Sequence, residues 1–226
     1  MIRAVVFDLW NTLVSSVHGD PFQHLQRVLD PAQAGRFGDL KREAMARPYA
    51  DAREFLAHWR NRLSLSEPQF ETMAEVFQTA ADDATCFPEA LSAVRETRTL
   101  ARVALLSNTQ SFDLQFLERL GLTGLLATRF LSAHLGHLKP DAEAFAAVER
   151  KLGLFPGEIA MVGDSWRDDV TGALNAGWTA IWVNRKGLVR PPHDPEADLV
   201  EVPDLARVPQ LIQNLQAGAR CSTCLG

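Results

Sequence analysis

The sequence lacks long apolar runs and clusters of basic residues, and each shortage excludes a class of protein. No stretch approaches the ~20 consecutive apolar residues that span a bilayer, so no membrane association is expected. The net charge is −5 at pH 7, and without a basic patch the usual electrostatic signature of nucleic-acid binding is missing. The N-terminus runs directly into a predicted strand and lacks the regions of a signal peptide, so we expect a cytoplasmic protein.

Cysteine is also scarce, with three residues in 226. Cys221 and Cys224 form a Cys-x-x-Cys pair, a spacing that suits half of a zinc site or a redox pair. No second pair and no nearby histidine completes such a site in the sequence. We therefore expect residues 218–226, which are rich in small side chains, to be a flexible tail with incidental cysteines.

The composition is otherwise that of an ordinary globular protein, with 46% hydrophobic and 23% charged residues. The length favours one domain with a sizeable insertion. Short apolar runs alternate with helical patterns, which predicts an α/β, Rossmann-like fold: a mostly parallel sheet with helices on both faces. The predicted strands are residues 4–7, 103–106, 129–132, 159–162 and 179–183. Residues 112–120 are predicted as a helix, and 187–204 as a loop or a short edge strand.

Residues 15–84 differ from the rest of the chain because they contain no strand-like apolar run. Their apolar residues recur at helical spacing, and prolines divide them into about four helices. We therefore predict a small all-helical cap domain over residues 15–84, inserted into a core domain of residues 1–14 and 85–217. Its simplest role is that of a lid over the crevice of the sheet.

Polar residues follow the ends of several predicted strands, where open α/β sheets bind their ligands. They are Asp8, Ser107 with Asn108, Lys139, and Asp164 with Asp169. Each one alone is more typical of a turn, a surface charge or a helix cap than of a functional site. Together they offer carboxylates for a divalent cation, hydroxyl and amide groups, and one ammonium group. This set suits the binding of an anionic, phosphate-like group.

The motifs that contain these residues resemble those of the haloacid dehalogenase-like (HAD) hydrolase superfamily. The matching segments, in the expected order, are VVFDLWNTL, LLSNT, GHLKPD and VGDSWRDDVTGALNAG. They extend from Val5 to Gly177, so the resemblance covers most of the chain. The helical insertion lies between the first and second motifs, where many members carry a cap domain.

The resemblance implies specific roles in a hydrolase. Asp8 occupies the position of the nucleophile, which becomes a covalent intermediate. Ser107 matches the hydroxyl that holds the transferred group, and Lys139 matches the lysine that neutralises charge. Thr12, Ser107 and Asn108 are the residues expected to bind phosphate.

The resemblance also implies a Mg²⁺ cofactor. Asp8, Asp164 and the backbone carbonyl of Trp10 match its ligands, while Asp169 matches an acid that positions metal-bound water or Lys139. Hard oxygen ligands of this kind are those that Mg²⁺ requires.

The residue at position 10 departs from the pattern of the family phosphatases, which usually have an acid–base aspartate there. Trp10 has one N–H and no acid–base function near neutral pH, so it cannot protonate a leaving alkoxide. An aromatic residue instead resembles the 2-haloacid dehalogenases, which have tyrosine at this position and release halide without a proton. That branch, however, lacks the metal and the carboxylate that Asp164 provides here.

These observations favour a magnesium-dependent phosphomonoester hydrolase that forms an aspartyl-phosphate on a small phosphorylated metabolite. A 2-haloacid dehalogenase-like hydrolase is the first alternative, and a weakly active or non-catalytic member that binds a ligand or protein partner is the second. The expected partner is a small-molecule substrate, and both a monomer and a homodimer remain open.

Overall fold

The structure, a computed structural model, describes residues 1–17, 19–31, 35, 37–112 and 114–218. Cys221, Cys224 and nearly all of the predicted tail therefore lie outside the described residues. None of the helices in the described part is long and apolar enough to cross a membrane.

The strands of the described residues are β1 (Ala4–Phe7), β2 (Val14–Ser15), β3 (Thr85–Cys86), β4 (Arg102–Ser107), β5 (Arg129–Leu131), β6 (Ile159–Gly163), β7 (Thr179–Val183) and β8 (Leu199–Val202). Six of them form one parallel sheet in the order β5-β4-β1-β6-β7-β8. β8 is the edge strand beside β7, which resolves the alternative left open for residues 187–204. β2 and β3 form a separate antiparallel ribbon that joins the two ends of the helical insertion.

The α-helices of the described residues are α1 (Pro21–Val28), α2 (Phe37–Met45), α3 (Ala52–Leu63), α4 (Glu67–Thr79), α5 (Ala90–Leu100), α6 (Phe116–Arg119), α7 (Ser132–Leu135), α8 (Ala142–Leu152), α9 (Gly172–Asn175) and α10 (Val208–Gln216). A π-helix, Trp166–Thr171, leads directly into α9. The 3₁₀ helices are Pro156–Glu158 and Leu205–Arg207.

Both faces of the sheet are covered, as the entirely apolar central strand β1 indicates. Successive strand residues point to opposite faces. Val5 and Phe7 accordingly belong to the core that includes residues of α5 and α10, whereas Ala4 and Val6 belong to the core that includes residues of α8. The predicted α/β fold, with a parallel sheet and helices on both faces, is confirmed.

The helices α1 to α4 form a cluster of their own, rich in aromatic side chains. Trp59 is buried in it, and its indole N–H donates a hydrogen bond to the Tyr49 hydroxyl at 3.0 Å. Phe112 and Leu138, from loops of the α/β part, belong to the same cluster, so the two parts are in hydrophobic contact. The predicted boundaries of a cap domain at residues 14/15 and 84/85 stay a prediction.

Two predicted helices differ in the structure. The helix expected over residues 112–120 is only α6, four residues long, because Phe112 packs into the helical cluster instead of continuing the helix. The helix expected after Asp164 begins as the π-helix and becomes α-helical at Gly172. π-Helical turns are rare and concentrate at functional sites.

Candidate active site

The carboxyl ends of three neighbouring strands bring the predicted residues together. β1 lies between β4 and β6, and all three strands run in parallel. Asp8 follows β1, Ser107 ends β4 and Asp164 follows β6. The Asp8 backbone N–H donates to the carbonyl of Val162 at 2.8 Å, which continues the β1–β6 pairing up to the carboxylate.

Lys139 is the cation at this edge, and it is almost fully buried. Its Nζ lies 2.6 Å from Asp8 Oδ1 and 2.5 Å from Asp169 Oδ1. The side chain of Asn108 holds the Lys139 backbone from both sides: Oδ1 accepts from its N–H at 2.8 Å, and Nδ2 donates to its carbonyl at 2.9 Å. The Asn108 amide therefore fixes the position of Lys139.

The charges of this cluster shift its pKa values in opposite directions. Burial lowers the pKa of the Lys139 ammonium, but the carboxylates of Asp169 and Asp8 raise it by more, so the net shift is upward and the group stays charged. Burial raises the pKa of Asp164 to about 6, and the negative charge of Asp8 adds to this rise. One ammonium group thus faces three carboxyl groups, and the site retains an attraction for further positive charge.

The three carboxyl groups are spaced to share a metal ion. Asp8, Asp164 and Asp169 each offer an oxygen atom, and these oxygens lie within 4.8 Å of one another. Among the described residues, no residue other than Asp164 itself donates a hydrogen bond to the Asp164 carboxylate. An oxygen-only donor set, in which no other described residue occupies the Asp164 carboxylate, fits Mg²⁺.

Asp169 is held more tightly than the other two carboxylates. Its Oδ1 pairs with Lys139, and its Oδ2 accepts from the backbone N–H of Ser165 at 2.9 Å. Gly163 makes room for it, because a Cβ added at this glycine would lie 2.2 Å from Asp169 Oδ2. Both oxygens of Asp169 are therefore engaged with the protein.

Asp164 is positioned through its backbone. Thr12, which is fully buried, accepts the Asp164 N–H at 3.1 Å through its Oγ1. On the other side, the indole N–H of Trp182 donates to the Asp164 carbonyl at 3.0 Å. These two supports were not foreseen from the sequence, although Thr12 itself belongs to the first motif.

The phosphate-binding residues predicted from the sequence occupy different environments. Ser107 is buried, and its hydroxyl has no hydrogen-bond partner within the described residues. The Thr12 hydroxyl is hydrogen-bonded to the Asp164 backbone N–H, whereas Asn108 borders the cavity described below. Their role in binding phosphate stays a prediction.

Trp10 borders the same cavity next to Asp8. Its ring packs against Phe116, with centroids 5.3 Å apart, and its Nε1 lies 3.4 Å from the hydroxyl oxygen of Thr109. Thr109 was missed in the sequence, although it closes the second motif. Trp10 therefore places an aromatic ring at the sequence position where family phosphatases usually carry an acid.

A cavity of about 680 Å³ lies between the sheet edge and the helical insertion. A volume of this size suits a small molecule. Its polar lining includes Asp8, Lys139 and Asp164, and also Lys41 and Arg42 from the insertion. The larger apolar side chains that line it, besides Trp10, are Phe22, Met45, Phe77, Phe112, Leu114, Phe116 and Leu138.

The fold and the site together define an α/β protein with a carboxylate–lysine centre at the carboxyl edge of its sheet. The sequence model of a family described as haloacid dehalogenase-like hydrolase matches residues 2–177. The chain belongs to this family of hydrolases.

Individual relatives of the chain include both phosphatases and dehalogenases. The chain is 36% identical over 135 residues to phosphoserine phosphatase of Thermus thermophilus, which covers 59% of this chain and 51% of that protein. The chain thus spans about half the length of this phosphatase. It is 31% identical over 202 residues to (S)-2-haloacid dehalogenase of Xanthobacter autotrophicus, covering 82% of this chain and 76% of that protein. A solved structure of 2-haloacid dehalogenase from Pseudomonas syringae has the same fold, with a TM-score of 0.69, 23% identity, and coverage of 95% of this chain and 100% of that one.

Proposed function

We propose that the protein is a Mg²⁺-dependent phosphomonoester hydrolase that acts on a small phosphorylated metabolite. The observation that carries this proposal is the carboxylate of Asp164, which lies with those of Asp8 and Asp169 and receives no hydrogen bond from any other described residue. A dehalogenase of this family has no metal and needs no carboxylate at this position. The likeness to a phosphoserine phosphatase supports the same choice.

In the proposed reaction, a carboxylate oxygen of Asp8 attacks the phosphorus atom of the substrate. The bond between phosphorus and the ester oxygen breaks, and the electron pair of that bond leaves with the alcohol part. The product is an aspartyl-phosphate on Asp8, whose phosphorus a water molecule then attacks. Inorganic phosphate leaves, and the Asp8 carboxylate is regenerated.

Three groups of the chain are proposed to stabilise the negative charge of this reaction. Lys139, held 2.6 Å from Asp8, offsets the charge of nucleophile and phosphate, and Ser107 and Asn108 are proposed to donate to phosphate oxygens. Asp8, Asp164 and the carbonyl of Trp10 would hold Mg²⁺, with Asp169 outside the ligand set. When bound, the ion supplies positive charge opposite the phosphate oxygens.

The helical insertion is proposed to act as the cap of this site. Residues 15–84 would form a cap domain on a core of residues 1–14 and 85–217. Its helices supply one wall of the cavity, including Phe22, Met45 and Phe77. A closed cap would exclude bulk water from the aspartyl-phosphate, apart from the molecule that hydrolyses it.

The proposal is tested by release of inorganic phosphate from a panel of phosphomonoesters, with Mg²⁺ and with a chelator. We expect release that requires Mg²⁺ and falls about 1,000-fold or more in Asp8→Asn, because the amide is not a nucleophile. Asp194→Asn, on an exposed loop, is the matched control and should retain activity. Release that persists in Asp8→Asn, or no release from any ester with Mg²⁺, would overturn the proposal.

A second candidate, a 2-haloacid dehalogenase-like hydrolase, is favoured by the aromatic ring of Trp10 beside Asp8. In that reaction Asp8 displaces halide from carbon, and water hydrolyses the resulting ester. Release of halide from either enantiomer of 2-chloropropionate in the presence of a chelator would support it. Absence of halide release from both enantiomers would exclude it for this substrate class.

A further inference from the structure

The residue two positions after the proposed nucleophile Asp8 cannot donate a proton to the substrate. Trp10 lies there with its ring on Phe116 and its N–H directed at Thr109. Neutral indole does not release a proton near neutral pH, so the leaving oxygen of a substrate cannot obtain a proton from residue 10. The chemistry of the substrate must compensate for this.

The cavity lining includes apolar surface that suits an aromatic ring. It contains phenylalanines from the helical insertion and from the segments after β4, together with aliphatic side chains. The aromatic residues are Phe22, Phe77, Phe112 and Phe116. Aromatic rings bury large apolar areas and make favourable edge-to-face and offset contacts with one another.

These two observations converge on one class of leaving group. Resting on the phosphatase function proposed above, we infer that the substrates are phosphate monoesters of aromatic hydroxyls. A phenolic hydroxyl ionises at a pKa of ~10, as tyrosine does, whereas simple alcohols are far weaker acids, about as weak as water. A phenolate is therefore stable enough to leave as an anion, without protonation by the enzyme.

The reaction balances without an acid at position 10. Asp8 forms a bond to phosphorus, the bond between phosphorus and the aryl oxygen breaks, and the electron pair leaves on the phenolate. The phenolate takes a proton from solvent after it departs. Water then attacks the phosphorus of the aspartyl-phosphate, and its two hydrogens are divided between the inorganic phosphate and the solvent. The net reaction converts an aryl phosphate and water into a phenol and inorganic phosphate.

Two further carboxyl groups line the cavity and are rival sources of a proton. Asp20 accepts from Lys41 Nζ at 2.6 Å and from the Phe22 N–H at 2.9 Å, so both of its carboxyl oxygens are engaged where it caps α1. Asp168 lies on the π-helix beside the site and is the stronger rival. The substitution Asp168→Asn distinguishes an enzyme that uses Asp168 as a general acid from one that uses no acid.

The experiment compares kcat/KM for phenyl phosphate and benzyl phosphate, which carry the same ring on a phenolic and an alcoholic oxygen. We expect phenyl phosphate to exceed benzyl phosphate by about 100-fold or more, because a general acid is worth about 100- to 10,000-fold. Trp10→Asp, which introduces the acid, should raise kcat/KM for benzyl phosphate by about 100-fold and thereby reduce the ratio. Trp10→Phe, which adds no acid, and Asp168→Asn should both keep the wild-type ratio.

The outcomes separate this inference from the function on which it rests. Equal turnover of benzyl and phenyl phosphate by the wild-type protein would overturn the inference, as would a selective loss of benzyl phosphate turnover in Asp168→Asn. The wild-type comparison decides the matter even if Trp10→Asp does not fold. Absence of turnover of para-nitrophenyl phosphate, whose leaving group needs no acid in any phosphatase, would instead show that the proposed function itself is wrong.

Discussion

Lys139 is the residue on which the charge balance of the site depends. Its ammonium group contacts the carboxylates of Asp8 and Asp169 in a place from which solvent is almost excluded. A buried charge is costly unless it is paired, and removal of one partner leaves the others uncompensated. Lys139 therefore holds two carboxylates together that would otherwise repel each other.

The substitution Lys139→Met tests this dependence. In the presence of a chelator we expect the free energy of unfolding to fall by about 3–5 kcal/mol, since Asp8 and Asp169 lose their shared cation. Urea unfolding followed by circular dichroism measures the change. Lys151→Met, on the exposed side of α8, is the matched control and should change stability by less than about 0.5 kcal/mol. A result for Lys139→Met as small as that of the control would contradict the interpretation.

At the scale of secondary-structure elements, the contact between β6 and the π-helix places the acidic residues. Gly163 ends β6, and the side chain of Asp169 packs directly against it. A Cβ added to Gly163 would lie 2.2 Å from the Oδ2 of Asp169 and 2.6 Å from the Cβ of Asp169. The π-helix brings Asp169 back over the strand end, where its Oδ1 pairs with Lys139. The position of Asp169 is thus set by how these two elements meet.

The substitution Gly163→Ala should therefore disturb the site without changing any polar group. Because the new methyl group requires Asp169 to move, we expect the free energy of unfolding to fall by about 1–3 kcal/mol. Phosphate release should fall with it if the proposed function holds. Gly157→Ala is the control, because nothing lies within 4 Å of a Cβ at that position. If both variants have equal stability and activity, the close contact has no consequence.

How much the sequence predicts can be judged from these same elements. The strands of the sheet were predictable because buried parallel strands are continuous apolar runs, and the clustering of Asp8, Lys139 and Asp164 followed from the shared edge of such a sheet. The π-helix could not be predicted, because the spacing of its apolar residues over so short a segment cannot be distinguished from that of an α-helix. The ribbon of β2 and β3 is two residues on each side, too short to carry any alternation.

Contacts between distant segments could not be predicted from the sequence either. Two examples are the hydrogen bonds between the Asn108 side chain and the Lys139 backbone, and the hydrogen bond from the Asp164 N–H to Thr12. Both depend on how loops that follow different strands meet. Phe112 shows the limit most clearly. Its helical spacing with Phe116 is real, but it packs into the core of the insertion, so tertiary packing decided against the local pattern.

At the scale of the whole molecule, a short chain of hydrogen bonds connects the helical insertion to the loop of the nucleophile. The buried hydroxyl of Ser132 donates to the carbonyl of Met45 at 2.8 Å and accepts from the backbone N–H of Thr109 at 3.0 Å. The side chain of Thr109 in turn lies within 3.4 Å of the indole nitrogen of Trp10. Nearby, Ser111 bonds the backbone of Tyr49, which adds a second link between the two parts.

The substitution Ser132→Ala should loosen this connection. Removal of the hydroxyl leaves the Met45 carbonyl and the Thr109 N–H without their partner in a buried place, so we expect the free energy of unfolding to fall by about 1–3 kcal/mol. Ser92→Ala is the matched control: its hydroxyl also donates to a backbone carbonyl, that of Glu89, but on the exposed face of α5. Ser92→Ala should lower the free energy of unfolding by less than about 0.5 kcal/mol, measured for both variants by urea unfolding. If Ser132→Ala costs no more than Ser92→Ala, the insertion is held on the α/β part by its apolar contacts, such as those of Phe112 and Leu138, and the hydrogen bonds only set its orientation.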